Sequence, residues 1–132
     1  MLSIPGSLKI YLATGPVDFR KSHDGLAAVV EQALKEDLLS GSLFVFTNKR
    51  ADRVKLLYWD SDGYVLFYKR LEVGVFRFPR TEGGTQKLSI SASDFQMILS
   101  GVDLSSVKRL KRYQRPQRND SAKESSKNLA LT

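Results

Sequence analysis

Cysteine is absent from the 132 residues, which removes disulfides, thiolate zinc sites and cysteine nucleophiles together. Histidine occurs once, as His23, too sparse for a transition-metal centre. No nucleophile elbow surrounds any serine, so a Ser-His-Asp triad built on His23 has no supporting signature. A Walker loop and a dinucleotide fingerprint are also missing. Long apolar runs are missing too: Leu43 to Phe46 and Leu26 to Val30 fall far short of the ~20 residues a membrane-spanning helix needs. Met1 to Gly6 has no basic stretch followed by an apolar one, so no secretory signal is expected. These absences predict a soluble, cytoplasmic, non-enzymatic chain with no membrane association, metal or cofactor.

What is present fits one domain and a tail. Hydrophobic residues make up 42% of the chain, and seven Phe, five Tyr and one Trp can fill a compact core. The net charge of +7 favours polyanionic partners. From residue 106 onward stand eight bases against Asp120 and Glu124, leaving thirteen bases and twelve acids in residues 1 to 105. The expected division is a nearly neutral domain over 1–105 and a basic tail over 106–132.

Along the chain, Leu8 to Ala13 alternates like a half-buried strand and stops at Gly15-Pro16. Ser22 is placed to cap a helix reaching about Glu36, with Leu26, Val29, Val30, Ala33 and Leu34 on one apolar stripe and Gly41 at the exit. Strands are predicted at Leu43 to Thr47, Val54 to Trp59, Tyr64 to Arg70 and Val75 to Phe78. Asp60-Ser61-Asp62-Gly63 reads as a hairpin turn in which Gly63 takes positive φ, and Glu72-Val73-Gly74 as the next reversal. Connections this short imply an antiparallel meander. Thr81 to Thr85 reads as a flexible loop and Lys87 to Ile90 as a short strand. Ser91-Ala92-Ser93-Asp94 then caps a helix with Phe95, Ile98, Leu99 and Val102 on one face, ended by Gly101. Ser105 opens a last short basic helix limited by Pro116, and Gln117 to Thr132 is polar enough to be disordered. The fold class is therefore α+β: a meander of about four to six strands with two main helices packed on it.

Three constellations compete for function. Lys49, Arg50, Arg53 and Lys55 precede Tyr58-Trp59, with Tyr68, Lys69, Arg70, Arg77 and Arg80 further on, and a face mixing rings and cations suits nucleic acid. Alternation sends about half of these side chains inward, so Trp59 beside Leu57 suits a core position better than a base platform. In the tail, Lys108, Arg109, Lys111, Arg112 and Arg115 form the clearest electrostatic signal, against the plain reading of a solvated tail. Asp18, Asp24, Asp60 and Asp62 are the carboxylates a metal-dependent nuclease would use. Their spacing is not diagnostic, and Asp60 to Gly63 has its Gly too early for a calcium loop, which favours a turn.

Ala13-Thr14-Gly15-Pro16-Val17-Asp18-Phe19-Arg20-Lys21 with Asp24-Gly25-Leu26 resembles the opening of the TnpB accessory proteins of bacterial insertion-sequence family sixty-six, which are distinct from the RNA-guided nuclease of that name. Leu43-Phe44-Val45-Phe46, Asn48, Arg50, Lys55, Leu57, Trp59-Asp60, Gly63, Lys69-Arg70-Leu71-Glu72, Phe76, Phe78 and Pro79 follow the same pattern in order. So do Leu88-Ser89-Ile90 and Gly101-Val102-Asp103, and the resemblance spans about residues 8 to 104. It implies a non-catalytic accessory role in transposition, beside a DDE transposase and a second accessory protein. His23 departs from the pattern. Arg20, Lys21, Asp24, Arg50, Lys55, Trp59, Lys69 and Arg70 are matched positions to which the resemblance gives no role, and Asp18 and Arg20 equally suit a structural pair. The leading expectation is contact with DNA, the transposase, or both, with homodimerisation also open. The alternatives are an interaction module that never touches DNA and a metal-dependent nuclease.

Overall fold

The computed structural model describes residues 4–79, 87–104 and 108–116. Strand β1 (Ile10–Ala13) leads through a loop into helix α1 (His23–Val29), which widens into a π-helical turn over Val30–Leu34. Lys35 ends it in the left-handed conformation (φ 54°), so the helix stops short of Glu36. Gly41 instead closes a separate 3₁₀ turn over Leu38–Ser40, which the Asp37 carboxylate caps by accepting from the Leu39 N–H. At the other end of α1, the Ser22 side chain makes no cap bond. Its hydroxyl lies 3.1 Å from the His23 ring instead.

Strands β2 (Leu43–Thr47), β3 (Arg53–Asp60) and β4 (Gly63–Arg70) form the expected antiparallel meander. β5 (Lys87–Ile90) pairs antiparallel with β1, giving a five-stranded sheet in the order β4-β3-β2-β1-β5. One pairing lies outside the meander: β1 runs parallel to β2, with Ile10 opposite Leu43. The intervening α1 makes this crossover possible, because parallel neighbours need a long connection.

The sheet is covered on both faces, which explains the unbroken apolar run of β2, where Leu43 to Phe46 are all buried. Leu26, Val30 and Leu34 pack with Phe44, Phe46 and Leu57 on one face. On the other, Ile10, Leu12, Val45, Val54 and Leu56 meet Phe76, Phe95 and Leu71. Helix α2 (Ala92–Leu99) supplies Ala92 and Phe95 to this layer and is capped by Ser91, whose hydroxyl accepts from the Asp94 N–H at 3.1 Å.

Three expectations need correction. The β3–β4 turn bends at Ser61 (φ 55°), with Gly63 already in β4 opposite Asp60, so Gly63 does not supply the positive φ. Val75 to Phe78 is not a strand. Beyond Gly74 (φ 87°) the chain crosses the face of the sheet, where Phe76 is 1% exposed and Phe78 stacks on Phe95 at 6.4 Å. Its alternating pattern is satisfied by burial beneath α2 instead of by edge pairing. Residues 108 to 116 contain no helix. Gly101 (φ 101°) turns the chain out of α2 into β6 (Val102–Asp103), with which β7 (Lys108–Arg109) pairs, and the Leu110 N–H donates to the Gly101 carbonyl at 2.7 Å. The predicted loop over 81–85 and the tail from 117 lie outside the described residues.

Candidate nucleic-acid interface

The topology brings separated bases to one end of the sheet. β1 and β2 are parallel, and β3 and β4 return antiparallel, so the exits of β1, β2 and β4 and the entry of β3 share that end. Backbone bonds tie the loops together there: the Val17 N–H donates to Thr47 (3.0 Å), Leu71 to Asp52 (2.8 Å) and Phe76 to Ala51 (2.7 Å). In the β2–β3 turn the Asn48 amide oxygen accepts from the Arg53 N–H and its NH₂ donates to Asp52, at 3.0 and 2.6 Å. Ala51 is left-handed (φ 59°), and Lys49 and Arg50 project at the tip, exposed. Arg20 and Lys21, Lys49 and Arg50, Arg53, Lys69 and Arg70, and Arg77 thus lie at one pole, which also holds the carboxylates of Asp18, Asp24, Asp52 and Glu72. The opposite pole carries Asp60 and Asp62 in the β3–β4 turn and Asp37 before β2, with, among the described residues, only Lys9 before β1 and Lys35 after the π-helical turn against them. A domain that is neutral in sum is therefore polarised in space.

Lys55 underlies this pole and is not part of its surface. Only 5% exposed, its ammonium donates to the carbonyls of Phe19 (2.8 Å) and Lys21 (2.7 Å) and lies over the rings of Phe19 and Tyr68, at 4.9 and 5.2 Å. Burial holds its pKa below the usual lysine value, and the charge of Asp18 partly opposes that. Lys55 thereby fixes the 18–22 loop that presents Arg20 and Lys21. Arg53 lies on the same face of β3, donating to the Tyr68 hydroxyl at 3.2 Å while its Nε is buried without a partner.

Asp18 accepts from both the side chain and the backbone N–H of Arg20, with a closest contact of 2.7 Å. These hydrogen bonds bring its carboxyl pKa down to about 2 from 3.8. A lowered carboxylate pKa stabilises the fold at pH above its unfolded value, and that contribution fades as pH falls from 3.8 through about 2. Carboxyl NMR titration of Asp18 should show a midpoint near 2, and Arg20→Ala should return it towards 3.8. A wild-type midpoint near 3.8 would mean that the pair does not form in solution.

On the α2 side of the same pole, Lys69, Arg70 and Arg112 line one pocket of about 550 Å³ with Phe67, Leu71, Leu99 and Tyr113. Arg112 donates from Nη1 to the Val75 and Lys111 carbonyls, both at 2.9 Å, and its guanidinium lies 5.2 Å from the Phe76 ring. Its Nε and Nη2 are buried without partners, and burial lowers its pKa. Arg112 is thus an anchor that docks the chain leading to the tail, while Lys111 and Arg115 are exposed beside it. Lys108 and Arg109 are placed only by their pairing in β7. A second pocket, of about 320 Å³, gathers Lys49, Arg77, Thr14 and Asn48 at the exits of β1 and β2.

Trp59 stands apart from the cations. It is half-buried, edge-on to Tyr64 at 5.0 Å, and six residues of β3, about 20 Å at 3.3 Å each, separate it from Arg53. The rings beside Lys55 are Phe19 and Tyr68, which meet edge-on at 5.9 Å. Sequence alternation does not point to Phe19, because it lies in a loop. The four aspartates do not converge either: Asp18 and Asp24 precede or begin α1 at one pole, and Asp60 and Asp62 lie at the other. Among the described residues no three His, Asp or Glu side chains form a metal-binding group. No described helix is long and apolar enough to cross a membrane.

Residues 8–109 match the family described as IS66 Orf2 like protein, and the chain belongs to that family of insertion-sequence accessory proteins. It is 42% identical to the uncharacterized protein y4jC of Sinorhizobium fredii, over 83% of this chain and 92% of that one. It is 37% identical to the uncharacterized protein y4hO of the same organism, over 78% and 88% respectively. No solved structure matches.

Proposed function

We propose that the chain serves transposition as a non-catalytic factor that holds the phosphate backbone of DNA against the basic pole of its sheet. The observation that supports this is the convergence of exposed Lys49, Arg50, Lys69 and Arg70 with Arg20 and Lys21 on loops bonded to one another. Arg112 anchors the 110–116 segment beside the same pole, so exposed Lys111 and Arg115 extend this field. Such a surface grips phosphates without reading bases, because among the described residues its cations stand on loops and at a strand end and not along a helix that could enter a groove. DNA of any sequence should bind, and affinity should fall steeply with salt. Lys49→Ala with Arg50→Ala and Lys69→Ala should reduce the log–log salt slope by up to about 3, at roughly 0.9 per lost phosphate contact. Truncation after Pro116 keeps the docked anchor and should lower the slope separately. An unchanged slope in the triple variant would remove the pole from the interface.

A second reading is a grip on the transposase through the pocket between β4 and α2, where Val73 (38% exposed) and Tyr113 (59% exposed) stand beside the lining cations. Co-elution of the triple variant with the transposase, without any DNA shift at low salt in the wild type, would favour it.

A further inference from the structure

β4 is an edge strand: among the described residues only β3 pairs with it. It is eight residues long, and Tyr64 to Phe67 are only half-buried while Tyr68 is 46% exposed, so five consecutive apolar or aromatic side chains flank an open backbone edge. An edge of this length is normally blunted, because its free N–H and C=O groups template further pairing. No proline or bulge interrupts the β3–β4 register from Arg53–Arg70 to Asp60–Gly63. The charges that would guard the edge lie only at its ends, and their balance is of opposite sign: Lys69 and Arg70 at one, with Glu72 3.3 Å from Arg70 offsetting part of that charge, and Asp60 and Asp62 in the turn at the other.

We infer that the chain forms a two-fold dimer by antiparallel pairing of β4 with β4 of a second copy. The charge arrangement selects a second copy as the occupant. An antiparallel pair centred on Leu66 sets Asp62 opposite the partner's Arg70 and Gly63 opposite the partner's Lys69, so each acidic turn meets the basic strand end of the other copy. Such a contact is self-complementary, as a two-fold interface must be. A parallel alignment would put like charges together and is disfavoured. The dimer extends the five-stranded sheet to ten strands and turns the two basic poles in opposite directions, so that two DNA segments can be held at once.

Sedimentation of the full chain across protein concentration tests this. A mass near twice 14.8 kDa is expected at high concentration and low salt. Asp60→Lys with Asp62→Lys should weaken dimerisation at least about tenfold, and so should Lys69→Glu with Arg70→Glu, because each makes both contacts repulsive. Mixing the two variants should restore a mixed dimer, since turn and strand end again carry opposite signs; that recovery also shows both variants are folded. A wild-type chain that stays monomeric at every concentration overturns the inference. So does a wild-type dimer indifferent to both reversals, or variants that fail to recover on mixing.

Discussion

Lys55→Met is expected to lower stability by about 2 kcal/mol and to loosen the 18–22 loop well before the sheet. Methionine preserves the length and most of the packing of lysine but has no donor. The Phe19 and Lys21 carbonyls, 2.8 and 2.7 Å from the ammonium, then lose their charged partner. Hydrogen bonds to a charged group are worth about 1.5–3 kcal/mol each, while removal of a buried charge returns part of its desolvation cost, so the sum falls well below two full bonds. Urea unfolding should show the lower midpoint. Amide exchange should show faster opening at 18–22 than in β2 or β3, and DNA affinity should fall as Arg20 and Lys21 lose their fixed position. An unchanged midpoint together with unchanged exchange would mean that the ammonium does not hold the loop. Lys55→Arg should not restore the wild type, because a planar guanidinium cannot occupy a site built around a point ammonium.

Gly74→Ala is the second large effect. At φ 87° a side chain is strained by about 1–3 kcal/mol, and a Cβ there would lie 1.8 Å from the Lys111 carbonyl oxygen, which is backbone and cannot turn aside. The least costly relief is to lift the 108–112 segment from the body. That breaks the Arg112 bond to the Val75 carbonyl and uncovers the face of Phe76. The expected result is rapid proteolysis within 108–116 and a lower urea midpoint, with β2 and β3 still protected in exchange. Gly6→Ala, where nothing lies within 4 Å, is the matching control and should leave both unchanged. Wild-type protease resistance in Gly74→Ala would mean that the tail segment does not dock at this glycine.

Much of the architecture is legible because it depends on local chemistry. β2, β3 and β4 follow from branched and aromatic runs, α2 from Ser91 and the spacing of Phe95 and Ile98, and the reversal at Glu72 to Gly74 from its glycine. The parallel β1–β2 pairing is not legible, since strand order depends on the packing of α1 over the sheet. Val75 to Phe78 misleads because alternation records only which side chains are buried, and burial beneath α2 produces the same pattern as a ladder. The basic segment after Ser105 reads as helical in isolation, yet pairing with Val102–Asp103 and the Arg112 anchor supply partners that propensity cannot anticipate.

By itself the sequence determined the class of the protein, through ordered motifs shared with its family, and a chemistry from which thiolates and histidine clusters are absent. It also determined that the charge surplus is basic and concentrated towards the end of the chain. Only the tertiary structure decided which bases face outward together. Lys55 turned inward to clamp a loop, Arg112 became an anchor, and Trp59 was placed at the far end of β3 from Arg53, while Lys49, Arg50, Lys69 and Arg70 met at one pole. The physical reason is that charge sums add along the chain, whereas electrostatic potential depends on distances, and those are set by sheet order and register.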